Sequence, residues 1–164
     1  MKRMKRILAG LLAVGMMLAV VGCGDGGEEK TVTLRADVSD QTGIPTTDTM
    51  ILTAKGDSLQ QFREVMEIDL SDYDEDDRAV FAETYDSIFA ATVQEANAVD
   101  GITASTKFAG TVYSFEFTVD CTNSSATEAA VDLGLITMDK GLISKLSLKA
   151  TQSGLEASGY KVVE

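Results

Sequence analysis

The stretch that decides the fold is Thr111–Cys121, TVYSFEFTVDC. Tyr113, Phe115, Phe117 and Val119 occupy alternate positions, the two-residue period of a strand with one buried face. Large aromatic side chains suit a pleated surface covered by a second layer. This strand is therefore expected to be central and to lie under a helix. Its hairpin partner is Ile102–Phe108, turned at Ala109-Gly110. The covering helix lies just upstream. Asp74-Glu75-Asp76-Asp77 opens it with acidic groups that complement the positive end of the helix dipole. Phe81, Tyr85, Ile88, Phe89, Thr92 and Ala96 then recur at three- and four-residue spacing, one face of a long helix. Asp100-Gly101 ends it.

Further upstream, Val32, Leu34, Ala36 and Val38 alternate with polar residues and predict a half-buried strand. Thr42-Gly43-Ile44-Pro45 interrupts the pattern as a turn. Thr46–Ala54 is rich in β-branched residues and predicts a second strand, closed by the hairpin signal Lys55-Gly56-Asp57. Ser58–Leu70 fits two periods. Leu59, Phe62, Met66 and Leu70 suit a helix, whereas Phe62, Met66, Ile68 and Leu70 nearly suit a strand. Its place after a Gly-Asp turn predicts a strand.

Downstream, Thr122–Thr127 reads as a polar loop and Glu128–Gly134 as a short helix. Ser147 is an N-cap, with Leu148, Thr151 and Leu155 as the buried face behind it. Gly159 stands where a left-handed residue closes a helix, and Tyr160 is placed to fold back on Leu155. Lys161-Val162-Val163 adds a short final strand. Together these elements predict one α+β domain over residues 31–164. It is a mainly antiparallel sheet of about five strands, packed with one long central helix and a C-terminal helix.

The N-terminus is of another kind. Lys2, Arg3, Lys5 and Arg6 precede an apolar run from Ile7 to Val21. That run is short of the ~20 residues of a membrane-spanning helix, and its basic start fits a secretory signal better than an uncleaved anchor. Val20-Val21-Gly22-Cys23 resembles a bacterial lipobox. On this reading residues 1–22 are a signal peptide cut between Gly22 and Cys23, and Cys23 carries a diacylglyceryl group. Sulfur is the nucleophile that such a modification needs, and two acyl chains hold a protein on a membrane where one does so only marginally. Residues 23–30 then form a flexible tether. The expected address is the extracytoplasmic face of a bacterial cell membrane.

Loss of the four signal cations takes the net charge from −12 to −16. Such acidity argues against nucleic acid, whose binding rests on cation-to-phosphate contacts. It also opposes close approach to an anionic leaflet. The membrane is thus met through the lipid, and a monomer is expected. Cys121 is the only thiol besides Cys23 and reads as a small core residue.

The chain has no histidine and no tryptophan. Ser-His-Asp and Cys-His catalysis are excluded, and no Gly-Lys-Ser/Thr phosphate loop occurs. No catalytic residue and no cofactor beyond the lipid are expected, so the chain reads as non-enzymatic. Two alternatives stay open. Asp72, Asp74 and Asp76 alternate, and Glu83 is twelfth from Asp72, a partial imitation of a calcium loop. Asp77 stands where that loop requires glycine, and the competing reading is a solvated helix N-terminus. A looser Ca²⁺ or Mg²⁺ site on Asp72, Asp74 and Asp76 is the first alternative. A hydrolase built on two carboxylates in a cleft is the second.

Several of these features, taken in order, resemble the YehR-like family of small bacterial lipoproteins. They are the lipobox at Cys23, the Lys55-Gly56-Asp57 turn with Gln60 or Gln61 after it, and Tyr85 before Gly101. The most distinctive are Ser147-Leu148-Lys149, Thr151, Leu155 and Gly159-Tyr160-Lys161. The resemblance covers most of the chain. The chain departs from it at the acidic Asp72–Asp77 cluster and over Thr122–Ala130. The resemblance implies a single α+β domain with an antiparallel sheet. It implies no activity and no catalytic residue, since the matching positions are turns, caps and core.

Overall fold

A computed structural model describes residues 27–137 and 146–163. The signal segment, Gly22 and Cys23 lie outside the described residues. Six strands form one antiparallel sheet in the order β4-β5-β3-β2-β1-β6. In chain order the elements are β1 (Glu29–Asp37), α1 (Ser39–Thr42), β2 (Thr46–Lys55), β3 (Ser58–Asp69), α2 (Glu75–Asn97), β4 (Ile102–Ala109), β5 (Val112–Asp120), α3 (Ser124–Asp132), α4 (Leu148–Ala157) and β6 (Lys161–Val163).

One face of the sheet carries the core. Leu34 lies opposite Met50, Met50 opposite Glu64, and Glu64 opposite Phe117, so these four share a face. Leu34, Met50, Leu52, Phe62, Tyr113, Phe117 and Val119 on that face are buried. The other face carries Thr33, Thr53, Arg63, Glu116 and Thr118, exposed or half-buried. There Arg63 and Glu116 form a salt bridge at 2.7 Å.

The aromatic strand is flanked by β3 and β4 and lies under α2, as its composition predicts. Phe89 stacks on Phe115 with ring centroids 4.4 Å apart and planes 11° apart. Tyr85 meets Tyr113 at 5.1 Å. Asp86 accepts hydrogen bonds from the Tyr113 hydroxyl at 2.9 Å and from Thr106 Oγ1 at 2.8 Å, which fixes the rings across the helix–sheet seam. The last turn of α2 also guards an edge of the sheet. The Asn97 side chain donates to Ala104 O at 2.8 Å and accepts from Ala104 N at 2.9 Å. Its amide thus occupies the outward-facing backbone of edge strand β4 as a neighbouring strand would.

The double period of Ser58–Leu70 has a structural cause. The segment is a strand, but its register with β2 shifts at Thr53/Ala54. Thr53 pairs with Gln61 and Ala54 with Leu59, leaving Gln60 as the extra residue of a β-bulge. The bulge moves the alternation by one place. Leu59 and Phe62 are therefore both buried at a spacing of three, which imitates a helix.

The short final strand expected at Lys161–Val163 pairs with β1 and brings the sheet to six strands. Three expectations are corrected in detail. The Thr42–Pro45 turn is preceded by the one-turn helix α1, where Asp37 accepts from the Ser39 amide at 2.9 Å and from the Ser39 hydroxyl. Gly43, at φ 75°, ends α1 in the left-handed region. The Thr122–Thr127 loop is mostly helical, since α3 starts at Ser124 rather than Glu128. Asn123 is the reason: its side chain accepts from Ser125 N and Ala126 N and caps the helix. Finally, Glu29 and Lys30 belong to β1 rather than to a tether. Glu28 O accepts from Gly56 N at 3.1 Å. Gly27 approaches Gly56 so closely that a Cβ on it would lie 2.3 Å from Gly56 Cα.

Candidate functional site

The covered face of the sheet is mostly apolar, and its central strands carry two acids there. Asp48 on β2 is in phase with Met50 and Leu52, and Glu64 on β3 is in phase with Phe62 and Met66. Asp48 pairs with Met66 and Glu64 with Met50, so the two acids are diagonal neighbours on one face. Side chains so placed stand within reach of each other when one of them is long. Asp48 is 1% exposed. Glu64 is half-buried.

Tyr160 completes the cluster, and the C-terminal cap of α4 aims it there. Gly159 has φ 99°. Tyr160 N donates to Leu155 O at 3.0 Å and Gly159 N to Glu156 O at 3.1 Å, the paired bonds of a Schellman motif. The chain is thereby folded back so that the buried Tyr160 hydroxyl donates to Asp48 Oδ2 at 2.6 Å. Asp48 Oδ1, also buried, has no hydrogen-bond partner. Among the described residues no lysine or arginine forms a salt bridge with either acid.

Charge is costly here. Burial pushes the Asp48 carboxyl up to about 6, against the opposing pull of the Tyr160 hydrogen bond and the Thr49 amide. Burial, reinforced by the charge of Asp48, pushes Glu64 well above the usual carboxylate range. The Tyr160 hydroxyl is driven upward by burial and then by Asp48, so it remains a donor. The arrangement can hold a proton or a positive group and cannot comfortably hold two bare carboxylates.

A second seam lies at the opposite end of β2. Asp57, in the β2–β3 turn, accepts from Ser147 Oγ at 2.7 Å and from Lys149 N at 3.0 Å. Its own carbonyl accepts from Leu148 N at 2.9 Å. Ser147 in turn caps α4 by accepting from Ala150 N at 3.2 Å. The predicted N-cap is thus itself held by the predicted turn. The Lys149 amide, above all, holds the Asp57 carboxyl below the usual carboxylate range.

Beside this seam is a cleft of about 310 Å³, lined by residues that include Leu59, Gln60, Cys121, Thr122, Ser124 and Leu146. Cys121 is partly buried, and burial pushes its thiol up to about 12, with Asp120 adding to the effect. A thiol held in its protonated form is a poor nucleophile.

The structure places the predicted metal residues at the start of α2. Asp74 is the N-cap, accepting from Asp77 N at 2.9 Å. Asp72 and Asp76 are exposed, and Glu83 is exposed further along the helix. Among the described residues no three acidic or thiol side chains converge to hold a metal ion. The acids that do come together, Asp48 and Glu64, were not singled out from the sequence. The available signal was an acid standing in phase with apolar residues on each of two strands.

No protein-family model matches the chain, and no curated protein is similar to it. Solved structures do share its architecture. The NMR structure of the E. coli YehR protein aligns with a TM-score of 0.59 at 14% identity, over 84% of this chain and 93% of that one. The NMR structure of a protein from Streptococcus pneumoniae TIGR4 aligns with a TM-score of 0.57 at 16% identity, over 89% of this chain and 92% of that one. The relationship is a distant one of YehR-like fold.

Proposed function

We propose that this protein is a membrane-anchored extracytoplasmic lipoprotein with a non-catalytic binding or accessory role at the bacterial cell envelope. The observation that carries this reading is Val20-Val21-Gly22-Cys23 behind a basic and apolar leader. The fold is compatible with an anchor at Cys23, since β1 begins at Glu29, close behind it. The contact of Glu28 with Gly56 ties the start of the domain to the β2–β3 turn. That turn, and the cleft beside Cys121, would then face the membrane. The described lining of the cleft, of hydroxyls, an amide, a thiol and leucines, suits a small neutral or weakly polar ligand better than a charged one.

Metabolic labelling with a fatty acid tests the reading. The full chain is expected to incorporate label, to fractionate with membranes, and to accumulate as a longer precursor under globomycin. Cys23→Ser should lose the label and the processing. A Cys23→Ser chain that is processed and anchored like the parent would contradict the proposal.

A further inference from the structure

We propose that Asp48 and Glu64 share one proton, with the Glu64 carboxyl donating to Asp48 Oδ1 while Tyr160 donates to Oδ2. Three observations support the assignment. Asp48 Oδ1 is an acceptor with no partner in a residue 1% exposed, and a buried acceptor of this kind calls for a donor. Glu64 is the acid placed diagonally to it on the same covered face. The donor for Oδ2 is already present in Tyr160, so Oδ1 calls for one more hydrogen, which a protonated glutamic acid supplies. Thr151 Oγ1 on α4 is the other buried polar side-chain atom without a partner among the described residues.

The described residues nearest the pair on the neighbouring strands are uncharged. From β1 the neighbours are Leu34 and Ala36, and from β5 Phe115 and Phe117. The buried residues of α4 are Leu148, Thr151 and Leu155, and those of α2 are Ala82, Tyr85, Phe89 and Ala96. Val162 of β6 lies opposite Leu34. Among the described residues the other titratable groups on this side include Tyr85 and Tyr113, both pushed upward by burial, Asp86, which accepts from Tyr113, and Tyr73 and Cys121 packed against the core. Two acids that neighbour each other diagonally on a covered face resist ionising together, and the pair titrates as a unit. The site binds a proton at mildly acidic pH and opposes its own packing once that proton leaves. Because Tyr160 closes α4, loss of the proton loosens the C-terminal helix and β6 from the sheet.

The sign follows from linkage. Acids whose folded affinity for protons exceeds the unfolded one stabilise the fold below the unfolded carboxylate range, and that contribution is lost as pH rises through their folded values. The full chain in detergent is therefore expected to melt several degrees higher at about pH 5 than at about pH 8. Glutamine imitates protonated glutamic acid and keeps a donor for Oδ1. Glu64→Gln should thus melt at about pH 8 as the parent does at about pH 5, with the pH difference largely gone.

Infrared spectra of the parent should retain a protonated-carboxyl band at about pH 6, where unperturbed carboxylates are ionised. This readout does not depend on the variant folding. Absence of that band would overturn the proposal. So would a Glu64→Gln protein that keeps the parent's full pH difference. A saturable rise in melting temperature on adding Ca²⁺ or Na⁺ at about pH 8, lost in Glu64→Gln, would also overturn it and make the occupant a cation.

Discussion

Ser147 donates a hydrogen bond of 2.7 Å to Asp57 across 90 residues of chain. This joins the β2–β3 turn to the first turn of the C-terminal helix. Asp57 also accepts from Lys149 N, so a single carboxylate holds two donors at the start of α4. Asp57→Ala should cost about 1–2 kcal/mol, the range for losing a helix cap. The Asp57 carboxyl is held below its ordinary range, so its contribution is present above the unfolded value and fades as pH falls through the folded one. Denaturant melts of parent and variant should therefore differ at neutral pH and converge under strongly acidic conditions.

The Phe89–Phe115 stack fastens the long helix to the aromatic strand. Both residues are buried, Phe89 at 4% and Phe115 at 6% exposure. Phe89→Ala should cost about 3–5 kcal/mol by the usual penalty for emptying an aromatic site. Equilibrium unfolding measures it. A cost below about 1 kcal/mol would show that α2 is held by other contacts.

Asn97→Ala should expose the outer backbone of β4 at Ala104. The expected loss is about 1–2 kcal/mol for two hydrogen bonds, together with a new tendency to self-associate through the freed edge. Sedimentation at increasing concentration separates the two effects. Asn97→Asp retains an acceptor but no donor, and should fall between parent and alanine.

Tyr160→Phe should weaken the junction between α4 and the sheet, because it removes the hydroxyl that donates to Asp48 Oδ2. The loss should be about 1–3 kcal/mol and larger at about pH 8 than at about pH 5. Asp48, raised to about 6, carries more charge at the higher pH. Hydrogen exchange of Leu155–Tyr160 amides should report the loosening locally.

The sequence made the large elements legible where one period ran unbroken. Tyr113 to Val119 alternates without fault, and Phe81 to Ala96 keeps helical spacing, so both were placed correctly. The Ser147 cap and the Gly159-Tyr160 closure were equally readable, because each depends on a residue type suited to its local backbone. Gln60 was not readable as a bulge, since the extra residue is defined only by the strand that pairs with it. Asn123 was read as loop because its capping role competes with an ordinary polar surface. The Asp48–Glu64–Tyr160 cluster was illegible for a stronger reason. Among 26 acidic residues, two stand in phase with apolar residues on β2 and β3, but the register of those strands and the fold-back of Tyr160 are what bring them into one cluster.

The lipid on Cys23 is the claim on which the account of function rests, and intact-mass spectrometry of the membrane-extracted protein tests it most directly. The predicted result is a chain lacking Met1–Gly22 and bearing a diacylglyceryl group on an N-terminal Cys23. A chain that retains Met1–Gly22, or one with an unmodified Cys23, would contradict it.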